Sequence, residues 1–168
     1  MELNLHNNKF EFIVYIDTDL GGDKDTRRST TGFVMLMNSA PTSWYSELQH
    51  CVSVSTAESE YYNIHKCAKH CLWYRNIFKE LEFNNNSIIL NTDNKAVIYN
   101  YENETINPKS KHIDLRYHSI RELIKEKYIN LKYVKSEYNL LDGFAKYLNT
   151  TLNKFRENIL TNFKDLKL

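Results

Sequence analysis

The sequence predicts an α/β fold: a five-stranded mixed sheet, three antiparallel strands then helix-crossed strands, with helices on both faces. Three observations predict it. The run from Phe10 to Asp17 (FEFIVYID) is almost continuously apolar, β-branched or aromatic, the signature of a buried central strand, and it ends in an acid. Two further short strand-like segments follow within thirty residues, separated by turn-forming residues. From Ser55 the apolar period lengthens to that of a helix, and strand-like and helical segments alternate from there on.

Taken in order, Leu20 to Thr31 (LGGDKDTRRSTT) is a Gly- and charge-rich loop. Gly32 to Met37 and Thr42 to Leu48 are the second and third strands, with Asn38-Ser39-Ala40-Pro41 as their turn. Ala57, Tyr61, Ile64, Ala68, Cys71, Leu72 and Phe78 then recur at three- and four-residue spacing, the apolar face of a long helix. Ser55 or Thr56 caps it, Glu58 lies in its first turn, and it runs to about Leu81 before Asn84 to Asn86 break it. Ser87 to Thr92 is a fourth strand, ending beside Asp93. A short helix (Lys95 to Tyr101), a polar connection through Pro108, a helix (Ile113 to Glu126), a strand (Asn130 to Val134) and a helix (Leu140 to Leu148) complete the domain. The chain thus divides into an extension (1–9), one domain (10–149) and a tail (150–168), which Phe155, Ile159, Leu160 and Phe163 mark as helical.

Composition narrows the function. The 168 residues suit one domain, and 42% hydrophobic content is enough for a core. With 4 Gly and 2 Pro, collagen-like and low-complexity readings are excluded. A net charge of +1 excludes a globally basic nucleic-acid binder but not a local basic face. No apolar run approaches the roughly 20 residues that span a bilayer, and the first residues lack the pattern of a secretory signal. Cys51, Cys67 and Cys71 are an odd set without framework spacing. An intracellular, non-secreted protein without membrane association is therefore expected.

Four acids stand where such an architecture brings strand ends and helix starts to one sheet edge. Asp17 closes the first strand, Glu60 lies early in the long helix, Asp93 follows the fourth strand, and Asp142 opens the helix after the fifth. Clustered carboxylates repel one another unless cations neutralise them, and hard oxygen donors suit Mg²⁺ or Mn²⁺. Two such ions about 3.5–4 Å apart serve an in-line phosphoryl displacement. Solvated loops and the helix dipole also favour acids at these places.

The basic segment is 109–135, where eight Lys and Arg face three acids. Lys109, Lys111, His112, Arg116 and Arg121 are its candidate phosphate contacts, against the alternative of a solvated helix face. His65, Cys67, His70 and Cys71 share one helix, but the period turns Cys67 and Cys71 to the core, so they read as small hydrophobes and not as zinc ligands. Gly21-Gly22 reads as a turn and not as a phosphate loop.

The words around the acids carry a resemblance. Tyr15-Ile16-Asp17-Thr18-Asp19 with Arg28-Ser29-Thr30-Thr31-Gly32, Ser43-Trp44, and Val54-Ser55-Thr56-Ala57-Glu58-Ser59-Glu60-Tyr61 resemble the ribonuclease H domain of copia-type LTR retrotransposon Pol polyproteins. Thr92-Asp93-Asn94 with Ala96, Lys109-Ser110-Lys111-His112-Ile113-Asp114-Leu115-Arg116-Tyr117-His118, Leu141-Asp142 with Ala145-Lys146, and Lys154-Phe155-Arg156 continue it in order. Leu20, where the family usually has Trp, and Gly143-Phe144 depart from the pattern. Gly143 costs its helix about 1 kcal/mol against Ala.

The resemblance implies a ribonuclease H-like fold and two-metal hydrolysis of the RNA strand of an RNA–DNA hybrid. It makes Asp17, Glu60, Asp93 and Asp142 the catalytic and metal-binding acids, with two Mg²⁺ (or Mn²⁺) ions. Glu60 is favoured over Glu58, because the wider superfamily places its glutamate five residues after the capping position. Side chains two apart on a helix point about 200° from each other, so only one faces the ions. Asp19 is an outside candidate beside Asp17. The implied partners are the hybrid and a reverse transcriptase domain, and the implied setting is a cytoplasmic virus-like particle or the nucleus. The alternative is a catalytically silent remnant that keeps the fold and at most binds nucleic acid or a protein. An integrase-like member of the superfold is disfavoured, because the helix-borne glutamate precedes Asp93.

Overall fold

A computed structural model describes residues 12–38, 40–82, 88–103 and 111–141, without the side chains of 111–113. Its elements are β1 (Phe12–Asp19), β2 (Thr30–Met37), β3 (Ala40–Leu48), α1 (Thr56–Glu80), β4 (Ile88–Thr92), α2 (Lys95–Asn103), α3 (Lys111–Lys125) and β5 (Ile129–Tyr133), then a 3₁₀ turn over Ser136–Tyr138. The sheet order is β3-β2-β1-β4-β5. β1, β2 and β3 pair antiparallel, and β4 joins β1 and β5 in parallel, the mixed sheet expected.

β1 is central because its apolar run can be covered on both faces. Phe12, Val14 and Ile16 are buried, and Ile13 and Tyr15 pack partly buried against the same core. Phe12 meets Phe78 of α1 edge-on at 5.1 Å. Ile64, Cys67, Ala68 and Cys71 form the buried stripe of α1, so the two cysteines face the core as their period requires. α2 and α3 pack against α1 and β5.

Several boundaries differ from expectation. β2 begins at Thr30, inside the expected loop, since Thr30 and Thr31 pair with Asp19 and Thr18 and β-branched threonine suits a ladder. Ala40 and Pro41 belong to β3 and not to the turn. Pro41 is tolerated because β3 is an edge strand and the register shifts between Met35 and Leu36, opposite it. α2 runs two residues past Tyr101, α3 starts at Lys111 and ends at Lys125, and β5 occupies Ile129–Tyr133, one residue earlier than expected. Leu140 and Leu141 form a turn. The rest of the helix expected to 148, the tail, the N-terminal extension and Asn84 to Asn86 lie outside the described residues.

Polar side chains tie α1 to the sheet edge. The buried amide of Asn63 donates to the carbonyls of Asp17 (2.7 Å) and Gly32 (3.0 Å), and its oxygen accepts from the Tyr45 hydroxyl (3.2 Å). Gln49, also buried, donates to the Ser59 carbonyl (3.1 Å) and hydroxyl (3.0 Å) and accepts from Ser53 (2.7 Å). Such groups hold their position firmly, because losing one partner strands the other at a cost of about 1–3 kcal/mol. The start of α1 is thereby fixed against the end of β1.

Candidate metal centre

Asp17 and Asp93 lie at the ends of neighbouring parallel strands. The register pairs Tyr15 with Asn91, so continuing it by two residues sets Asp17 opposite Asp93. Glu60 arrives from the second turn of α1. The three carboxylates each place an oxygen within 4.8 Å of the others.

The cap of α1 decides between its two glutamates. Ser55 Oγ accepts from the Glu58 amide (3.1 Å), and the Glu58 carboxylate accepts from the Val54 amide (2.8 Å). This is a near relative of the capping box, and it turns Glu58 back along the chain. Glu60 points inward and is 2% exposed. Of the two glutamates, it is Glu60 whose carboxylate stands beside those of Asp17 and Asp93. Asp19 stays out of the cluster; its carboxylate lies over Gly22, where a Cβ would collide with it.

The electrostatics are those of a cluster lacking its counter-charge. Burial, and then the charges of Asp17 and Asp93, hold the Glu60 carboxyl well above the usual carboxylate range. Glu60 Oε2 is buried and makes no hydrogen bond among the described residues. Asp93 accepts from Ser136 Oγ at 2.7 Å, and Asp17 Oδ1 accepts from the Thr18 amide at 2.8 Å. An all-carboxylate set with a buried free oxygen fits a hard divalent cation. Among the described residues nothing softer than oxygen contributes.

The cluster opens into a shallow depression of about 550 Å³, lined also by Thr18, Thr56, Asn94, Lys95 and Tyr133. Lys95 Nζ lies 4.6 Å from the centre of the Tyr133 ring, a cation held at the rim of an acidic site. Lys95, Tyr133 and Ser136 were not singled out from the sequence. Lys95 stands two residues after Asp93, a readable signal, whereas Tyr133 and Ser136 reach the site only through the β4–β5 pairing.

Asp142 lies outside the described residues, and so does Lys109; Lys111 and His112 are helical in backbone but their side chains are not described. The described chain ends at Leu141, fully buried, one residue before Asp142. Just upstream, Asn139 donates to the Ile16 carbonyl (2.9 Å), next to Asp17, and accepts from the Leu141 amide (3.2 Å). Arg116 lies 4.7 Å over the ring of Tyr62 on α1, and Arg121 lies 5.8 Å from the ring of Tyr117; neither lines the acidic depression.

No protein-family model matches the chain. It is 32% identical over 141 residues, 84% of its length, to the retrovirus-related Pol polyprotein from transposon TNT 1-94 of Nicotiana tabacum, of which it spans 10%. Among solved structures it resembles LC11-RNase H1 in complex with an RNA/DNA hybrid, with a TM-score of 0.57 and 11% identity over 77% of this chain and 88% of that one. It also resembles an N-terminal RNase H domain from Mycobacterium tuberculosis, with a TM-score of 0.59 and 11% identity over 92% and 99% of the two chains.

Proposed function

Because this chain belongs to the retrovirus-related Pol polyproteins of copia-type transposons and carries the ribonuclease H fold, we propose that it is a ribonuclease H that hydrolyses the RNA strand of RNA–DNA hybrids. The observation that carries the reading is the meeting of Asp17, Glu60 and Asp93 around a buried, unbonded Glu60 oxygen.

In this reading Asp17, Glu60 and Asp93, with Asp142 as fourth acid, hold two Mg²⁺ or Mn²⁺ ions. When bound, such ions supply an activated water and stabilise the leaving oxygen. The chain's own part is placement. Ser136 orients the Asp93 carboxylate, and Asn63 holds the backbone of Asp17 against α1. Lys95, steadied over Tyr133, is set to meet a phosphate flanking the one attacked. Asn139 and Leu141 anchor the chain leading to Asp142. Lys109, Lys111, His112, Arg116 and Arg121 are proposed contacts to the hybrid backbone. A reverse transcriptase domain is the proposed protein partner, within a particle in the cytoplasm or in the nucleus. None of the described helices is long and apolar enough to cross a membrane. Residues 10–149 are proposed as one domain, flanked by the extension and the tail.

The test is cleavage of a labelled hybrid with Mg²⁺ or Mn²⁺, beside Asp93→Asn. Cutting of the RNA strand alone is expected, reduced more than about a hundredfold in the variant. A folded protein that binds the hybrid and leaves it intact would favour the silent remnant instead.

A further inference from the structure

The face of α1 turned away from the carboxylates carries an arrangement of which the proposed reaction uses Arg116 alone. Tyr62, His65, Lys66, Lys69 and His70 stand at i, i+3, i+4, i+7 and i+8, one side of the helix. With Arg116 from α3 and His50 they line a cleft of about 330 Å³. Among the described residues none that lines it is acidic. Lys66 pairs with Glu47 of β3, which leaves Lys69 and Arg116 as the cations facing the cleft. The crowding is felt within it: burial, then Lys69, then Arg116 lower the proton affinity of His65, and burial, then Lys66, lower that of His70. Like charges gathered in a concave surface are relieved by an anion.

The next hollow along the helix is lined by Lys69, His70 and Trp73. Trp73 is 59% exposed, its ring propped edge-on by Tyr74 at 4.9 Å. An exposed indole beside cations offers a flat face on which a base can stack. Lys69 and Trp73 are one helical turn apart, about 6 Å, the reach of one to two nucleotides at about 3.4 Å each. Cations that track a backbone beside an aromatic face that takes a base are the two parts of a single-strand site.

We propose that the outer face of α1 binds a single nucleic-acid strand, with phosphodiesters in the α1–α3 cleft against Lys69 and Arg116 and a base stacked on Trp73. Lys69 is nine residues from Glu60, about 180° around the helix, so a strand held there is out of reach of the acidic cluster. The site serves retention of a strand and not its cleavage. It stands whether or not the carboxylates cut hybrids.

The test is fluorescence anisotropy of a labelled twelve-nucleotide single-stranded DNA, with chelator present so that no divalent ion bridges it to the acids. Lys69→Gln should weaken binding about fivefold or more and reduce the salt slope by about 0.7, one phosphate contact. Trp73→Ala, at an exposed position that leaves the fold intact, should weaken it about fivefold or more with the slope unchanged. The proposal is overturned if Lys69→Gln and Trp73→Ala both bind like the parent. It is equally overturned if polyglutamate of matched charge displaces the strand as well as unlabelled DNA does, since the cleft would then read charge alone and suit an acidic protein.

Discussion

The two long faces of α1 solve opposite electrostatic problems with the same backbone. The inner face brings Glu60 to within 4.8 Å of two other carboxylates, deep enough that it is 2% exposed. The outer face gathers Lys66, Lys69 and two histidines beside Arg116 in a cleft open to solvent. What separates them is how firmly each is held. The inner acids are backed by buried hydrogen bonds from Asn63 and Gln49 and by an exposed one from Ser136, whereas the described contacts of the outer cations are ring faces and an ion pair. Like charges forced together in a rigid site await a specific, compact counter-charge; like charges on adaptable side chains suit an extended one.

The rigid side is the more vulnerable to mutation. Asn63→Ala removes the donor to two buried carbonyls and is expected to cost about 2–5 kcal/mol, the sum of two stranded groups and a lost contact. Thermal unfolding followed by circular dichroism measures it. A loss below 1 kcal/mol would mean that the inner face is not braced as described. Ser136→Ala acts on one acid alone: divalent-ion affinity should fall about tenfold, as for other groups that orient a ligand, with little change in melting temperature.

Glu60→Gln addresses the stored repulsion. Without metal, the folded-state Glu60 carboxyl titrates above its unfolded value, so the native state binds the extra proton between the two. Stability is therefore greatest below the unfolded value and falls as pH rises through the folded one. In chelator, the parent should be less stable at neutral pH than at the ordinary carboxylate value, and Glu60→Gln should lose less between the two. Denaturant unfolding at both pH values reads the difference; equal slopes would show that Glu60 carries no such burden.

Much of this was legible in the sequence, and the exceptions have a common cause. The β1 run and the α1 period expose the fold because burial writes itself as hydrophobic spacing. Asp17 and Asp93 were legible because strands end where apolar residues stop; helix geometry allowed only one of Glu58 and Glu60 to face them, and the resemblance chose Glu60. The strand start at Thr30 and the place of Pro41 were not, since each depends on a partner strand. Asn63, Gln49 and Asn139 were not legible either: a polar residue that bonds to a distant carbonyl has no local pattern. The outer cleft was hidden because cations on a helix look like a solvated face until α3 closes over them. Asp142 was named from its place after the fifth strand and from the resemblance, and its role stands as a proposal.

The account's central claim is that α1 offers Glu60, and not Glu58, to a metal site shared with Asp17 and Asp93. The most direct measurement is Mn²⁺ binding by isothermal titration to the parent, Glu60→Gln and Glu58→Gln. The parent should bind, Glu58→Gln should bind equally well because its amide oxygen can still accept from the Val54 amide, and Glu60→Gln should bind at least about tenfold more weakly. Undiminished binding by Glu60→Gln, or its loss in Glu58→Gln, would contradict the account.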